Sequence, residues 1–236
     1  MNKIFSFSVT RLLTAAVFCL VCTVGMAQKV VNVATAGTLA SLLDGTEAEL
    51  KLTGSINGDD VSCLRKQIKD GKLTLLDLSE IKFVAGGNAY YDSYTTTNDV
   101  VTPYLFYECS GLRTVLLPES VSSIGKCAFA NTGLTEVDIP ASVTQIATDA
   151  FAYCNSLNKV VVGRRVSKLG QGVFYASPIK NAYIKNPTPA ETPLYLFSSK
   201  PTIHVYSSVL SDYKESDWAD FGTVVGGLEE IYEEDR

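Results

Sequence analysis

Between residues 102 and about 195 the chain repeats itself, over segments 102–125, 126–147, 148–170 and a degenerate 171–195. Phe106, Phe129, Phe151 and Phe174 anchor these segments, 23, 22 and 23 residues apart. Three more apolar columns keep step: Leu112, Leu134, Leu157 and Ile179; Val115, Val137, Val160 and Ala182; Leu117, Ile139, Val162 and Ile184. Pro118, Pro140 and Gly163 follow, then Val121, Val143 and Val166, then Ile124, Ile146 and Leu169, and last the small Gly125, Ala147 and Gly170. Apolar positions two apart mark a short strand, Pro or Gly ends it, a second extended piece follows, and a small residue permits the corner. One such unit cannot bury its apolar face alone, whereas stacked copies can. The pattern predicts a β-rich α/β solenoid of 22–23-residue repeats with N- and C-terminal caps.

The flanks carry different signals. Thr38 opens a short helical pattern through Leu39, Leu42 and Leu43 that Gly45 can end, and Glu49 to Leu52 alternates as a strand. Asp59 or Asp60 can N-cap a helix through Leu64 and Ile68, with Lys66 and Lys69 near its end and Gly71 as its stop. Leu73, Leu76 and Leu78 begin the first repeat, which an insertion at 85–101 interrupts. Tyr213, Trp218 and Phe221 read as the apolar side of a terminal helix. The expected division is a signal peptide at 1–27, an N-terminal cap at 28–72, the solenoid at 73–195 and a C-terminal cap at 196–236.

The repeat, condensed to AFxxCxxLxxVxIPxSVxxIG, resembles the BspA-like leucine-rich repeats of bacterial surface and secreted proteins. The likeness is specific over residues 102 to about 185 and looser over the rest. Because Pro follows the strand, the side opposite the sheet is expected to be irregular or strand-like instead of helical. The resemblance implies an exported adhesion or protein-binding module, since the family is associated with attachment to matrix proteins, other cells or complex glycans.

The first residues set the compartment. Lys3 and Arg11 precede an apolar run from Leu12 to Leu20, and Gly25-Met26-Ala27 offers small residues for cleavage before Gln28. Phe18 and Val21 stand before Cys19 and Cys22 where lipid attachment wants a small residue, so lipidation is not expected. The mature chain has no transmembrane segment and is expected in the periplasm, at the cell surface or outside the cell, as a monomer. Losing Lys3 and Arg11 takes the formal net charge from −5 to −7, which excludes the cationic footprint that nucleic acid requires.

Catalytic and metal chemistry find little support. His204 is the single histidine, with no nucleophile or orienting partner beside it in sequence. Cys109 and Cys154 share a column with Thr132 and Ser177, where a small side chain hydrogen-bonds the backbone at an interior corner. Two coils apart, they stand beyond the reach of a disulfide and are expected as free, buried thiols. Cys127 shares a column with Tyr104, Asp149 and Gly172, and no CxxC survives cleavage. Asn57-Gly58-Asp59-Asp60 lacks the alternating oxygens of a calcium loop and reads as a turn and helix cap. No cofactor, metal or catalytic residue is assigned, and the chain is not read as an enzyme.

Binding candidates are the side chains that the core columns leave free. In each strand the residues flanking the central apolar position point outward: Thr114 and Leu116, Glu136 and Asp138, Lys159 and Val161, Asn181 and Tyr183. Leu116, Val161 and Tyr183 are the apolar members of this ladder and its expected anchors. The insertion offers Tyr90, Tyr91 and Tyr94 among glycines and threonines, the composition of an adaptable binding loop. The partner is expected to be a protein held on the sheet face, or a glycan held by the insertion; a structural spacer is the third reading.

Overall fold

Strand-period apolar pairs and in-step columns become parallel sheets. The computed structural model describes residues 28–228, so the leader at 1–27 lies outside it. The chain enters on β1 (Lys29–Val33) and β2 (Glu49–Ile56), turns into α1 (Gly58–Lys69), and returns as β3 (Leu75–Phe83). The insertion folds into an antiparallel hairpin of β4 (Gly86–Tyr91) and β5 (Tyr94–Thr96). The repeats then give β6 (Thr114–Leu116), β7 (Ser123–Ile124), β8 (Glu136–Asp138), β9 (Gln145–Ile146), β10 (Lys159–Val162), β11 (Lys168–Leu169) and β12 (Asn181–Ile184). Beyond them lie β13 (Thr202–Tyr206), the short helices α2 (Leu210–Lys214) and α3 (Trp218–Phe221), and β14 (Thr223–Leu228).

Two parallel sheets share one face of the molecule, ordered β1-β2-β3-β6 and β8-β10-β12-β13-β14, and Thr135 N–H donates to Arg113 O where they meet. A third ladder, β7-β9-β11, runs through the second extended piece of each repeat. Pairing is in register along columns of the repeat, Lys159 opposite both Glu136 and Asn181 and Val161 opposite both Asp138 and Tyr183. Each strand's partner lies a whole repeat away, so the rest of that repeat serves as the crossover that a parallel pair requires.

The anchor phenylalanines form a continuous interior stack. Phe106, Phe129, Phe151 and Phe174 are fully buried, with successive ring centroids 5.8, 5.1 and 5.7 Å apart. Phe197, which the four-segment pattern did not include, continues the stack at 5.3 Å. The turn around each anchor is also held from one repeat to the next: Phe129 N–H donates to Ala150 O, and Phe151 N–H to Val173 O. That backbone geometry requires a left-handed residue two before and two after the anchor, as Cys127 and Asn131 are around Phe129, and Asp149 and Tyr153 around Phe151.

Several local expectations change. The helix expected from Thr38 is one 3-10 turn, Leu39–Ser41: Leu39 is buried and Leu43 packs partly against the core, while Leu42 between them stays exposed. The N-cap of α1 is Asn57, whose Oδ1 accepts from Asp59 N–H, while Asp60 Oδ2 accepts from Asn57 N–H to close a capping box. Buried Asp60 also accepts from the N–H groups of Gly37 and Leu39, which fastens the first turn of the chain to α1. The terminal helix is split in two, because Tyr213 and Trp218 each reach inward, Tyr213 Oη donating to Asn186 O and Trp218 Nε1 to Ala190 O, both at 2.9 Å. β1 and β14 were not expected; each adds a short strand to the edge of a sheet, outside the columns of the repeat.

Candidate binding face

The outward ladder exists as the repeat register requires. Glu136, Lys159 and Asn181 are successive neighbours across β8, β10 and β12, with Thr202 of β13 next. Beside them run Asp138, Val161, Tyr183 and then His204. Thr114 and Leu116 continue the two rows on β6, which pairs with β3 so that Leu116 lies opposite Asp77. Asp138 is exposed and the other seven predicted side chains are half-buried, flanked by in-register neighbours at strand spacing.

Within this face the apolar anchors are unevenly placed. Asp138 occupies the row between Leu116 and Val161, so Leu116 stands apart from Val161 and Tyr183. His204 instead completes the cluster: its ring lies on Tyr183 with centroids 4.4 Å apart and planes 9° from parallel. Its Nε2 is hydrogen-bonded to Asn181 Oδ1 at 3.1 Å. Lys159 pairs with Glu136 at 3.2 Å and places its ammonium 5.8 Å from the Tyr183 ring centre, within cation–π range. The sequence reading left His204 out because it sits beyond the fourth segment; its position 21 residues after Tyr183, in a strand-like stretch, was the available signal. Asp138 keeps one side open to water, yet crowding by the neighbouring rows desolvates it and pushes its carboxyl above the usual value, against the opposing pull of Lys185 and Lys159.

The insertion is less open than its composition implied. Tyr90 is buried, and its hydroxyl is held by Thr102 Oγ1 and Pro103 O, both at 2.6 Å, so it is a core residue of the hairpin and offers no ring to a ligand. Tyr91 stacks on Tyr104 at 5.1 Å and Tyr94 leans on the same ring at 5.1 Å, while the Arg65 guanidinium lies 5.2 Å from the Tyr91 ring centre. These rings anchor the hairpin to the repeat beneath it.

The polar interior is committed to structure. Cys109 and Cys154 are free and fully buried as the column predicted. Thr132 Oγ1 donates to Phe129 O and Ser177 Oγ to Phe151 O, the backbone role expected of that column. Burial pushes the Cys109 thiol up to about 11 and raises Cys63, Cys127 and Cys154 as well, which leaves all four protonated at neutral pH instead of nucleophilic. Among the described residues no group of three His, Cys, Asp or Glu side chains could hold a metal ion, and no helix is long and apolar enough to cross a membrane.

Parallel in-register repeats around a stacked aromatic column define a leucine-rich repeat fold. Residues 91–204 match the BspA type leucine rich repeat region in six copies, and this repeat region belongs to that family. The matched span exceeds the four segments aligned above and includes Phe197 and most of β13. Among solved structures the chain is similar to a leucine-rich repeat protein from Bacteroides ovatus, at 20% identity over 84% of this chain and 42% of that one, with a TM-score of 0.43. The pneumococcal vaccine antigen PcpA matches at 16% identity over 77% of this chain and 57% of its own, with a TM-score of 0.41. A leucine rich cell surface protein from Faecalibacterium prausnitzii matches at 17% identity over 78% and 75% of the two chains, with a TM-score of 0.24. The chain thus spans well under two thirds of the first two structures. No curated protein matches it.

Proposed function

We propose that this chain is an exported, non-enzymatic interaction module of the bacterial surface, a capped solenoid that holds a protein partner against the outward rows of β8, β10, β12 and β13. The observation that carries the reading is the Val161–Tyr183–His204 cluster, flanked by the Lys159–Glu136 pair. Aromatic and aliphatic groups that are already half-desolvated and held by a rigid sheet lose little conformational freedom when a partner covers them. The ion pair beside them remains hydrated and contributes orientation more than affinity. Family membership supports a binding role, while adhesion in particular, and an extracellular matrix protein or another cell as the partner, are the finer parts of the proposal.

Capture experiments with residues 28–236 against extracellular matrix proteins and against glycans test the reading. Retention of a protein ligand that is lost when Val161 and Tyr183 are changed to serine supports it. Protein capture that survives those changes moves the site elsewhere on the chain, and failure to retain any protein favours a spacer.

A further inference from the structure

The described residues leave six large apolar side chains exposed, and four of them stand together away from the sheet face: Tyr153, Tyr175, Leu194 and Tyr195, at 46, 40, 72 and 60% exposure. Such clustering on an otherwise well-buried molecule marks a contact surface. The three rings come from three successive repeats and meet edge to face, Tyr153 to Tyr175 at 5.7 Å and Tyr175 to Tyr195 at 6.3 Å. They border an open cleft of about 360 Å³ whose other walls are Thr148, Asp149, Gln171 and Gly172.

Stability alone does not account for these rings. Tyr153 and Tyr195 have φ of +59° and +61°, a backbone region that disfavours a bulky side chain. Elsewhere the same two columns include Asn131, Asp149 and Gly172, which adopt this geometry more readily, beside Tyr104, Glu108, Cys127 and Ala176. Tyr153 and Tyr195 therefore hold exposed rings at a backbone angle that a smaller residue adopts more easily.

We infer that this cleft is a carbohydrate-binding site for an extended, neutral oligosaccharide, distinct from the sheet face. A pyranose ring presents apolar C–H faces and a rim of hydroxyls, so it needs aromatic surface and uncommitted polar groups side by side. Both are present. The side chains of Thr148, Asp149 and Gln171 and the three tyrosine hydroxyls make no hydrogen bond to the protein among the described residues, whereas the nearby Ser142, Thr144 and Ser167 hydroxyls all donate to backbone carbonyls. The Asp149 carboxylate can accept from two neighbouring sugar hydroxyls, and Gln171 can both donate and accept. None of the lining residues is basic, and the carboxylate repels sulfated or uronic sugars, which makes the ligand neutral. A β-strand peptide is a poor fit because the backbone here is already paired between repeats, as in Tyr153 N–H to Tyr175 O at 2.8 Å. One ring per repeat gives the site a length suited to several sugar units in line.

The test screens the full-length chain against neutral gluco-, manno-, galacto- and xylo-oligosaccharides, with heparin fragments and proline-rich peptides as parallel arms, followed by calorimetry on the hits. Tyr175→Ser should weaken binding of a neutral oligosaccharide at least tenfold, about 1.4 kcal/mol, while the melting temperature holds. Tyr153→Asn, which fits the backbone better, should weaken it too without loss of stability. Serine at Val161 and His204 on the sheet face should leave it unchanged. The proposal is overturned if no neutral oligosaccharide binds at millimolar concentration, if heparin or the peptides bind in its place, or if binding survives both tyrosine substitutions.

Discussion

Inside each turn the chain repeats one residue, and outside it the residue changes from each turn to the next. The interior column is Phe at 106, 129, 151, 174 and 197, with fully or nearly fully buried rings stacked at 5.1 to 5.8 Å. Two residues earlier, on the same turns, stand Tyr104, Cys127, Asp149, Gly172 and Tyr195, all with positive φ. Stacking one ring on the next at strand spacing admits one shape, so the inner column has no freedom to vary. The outer column answers only to a backbone angle and to solvent. Its variety shows where the fold leaves the chemistry open, and the aromatic residues there, costly for the backbone, indicate where that freedom has been used.

Substitutions in the two kinds of position should separate sharply. Phe129→Ala removes a ring from the middle of the stack and is expected to cost about 3 to 5 kcal/mol in a reversible melt, since neighbours on both sides cannot close the gap. A loss below about 1 kcal/mol would mean that the stack does not carry the core. Tyr90→Phe keeps a buried ring but leaves Pro103 O and Thr102 Oγ1 without their partner, an effect expected at about 1 to 2 kcal/mol and read by the same melt. Tyr153→Asn, in the outer set, should fall within about 1 kcal/mol of zero, because relief of the left-handed backbone offsets the lost contact with Tyr175.

Asp138→Asn gives the smallest change and a sign that depends on pH. Burial holds the folded carboxyl above its ordinary 3.8, so the folded state binds its proton more tightly than the unfolded chain, and ionisation works against the fold. The stability Asp138 gains from protonation is complete below 3.8 and is lost as pH rises through its raised folded value. At neutral pH the asparagine variant should melt slightly higher, within about 0.5 kcal/mol given the open side of the residue, with the advantage vanishing in acid. An advantage that grows as pH falls would contradict the assigned desolvation.

What could be read from the sequence follows the same division. The apolar columns and their 22–23-residue interval gave the strand register, and with it the outward orientation of Thr114, Leu116, Glu136, Asp138, Lys159, Val161, Asn181 and Tyr183. Periodicity is a property of what must be buried, and it carried no information on residues outside the repeat. Tyr90 looked like Tyr91 and Tyr94 in a tyrosine-rich loop, and only the hairpin pairing turned it inward. His204 joins Tyr183 through β13, where the repeat has lost enough of its columns to hide the register. The Tyr153–Tyr175–Tyr195 group was invisible for a further reason: its members occupy three different repeat positions, two after, one after and two before their anchors, and they meet only because the turns stack.

The central claim is that the outward rows of the sheet hold the partner, and it is tested most directly by one binding titration. The chain with Leu116, Val161 and Tyr183 all replaced by serine is compared with its parent against the captured protein ligand, with melting curves recorded alongside. The account predicts binding weakened at least tenfold, about 1.4 kcal/mol, with most of the loss from Val161 and Tyr183 and a melting transition close to that of the parent. Unchanged affinity in the triple serine variant, with binding abolished by deleting residues 88–98 instead, would contradict it and place the partner on the hairpin.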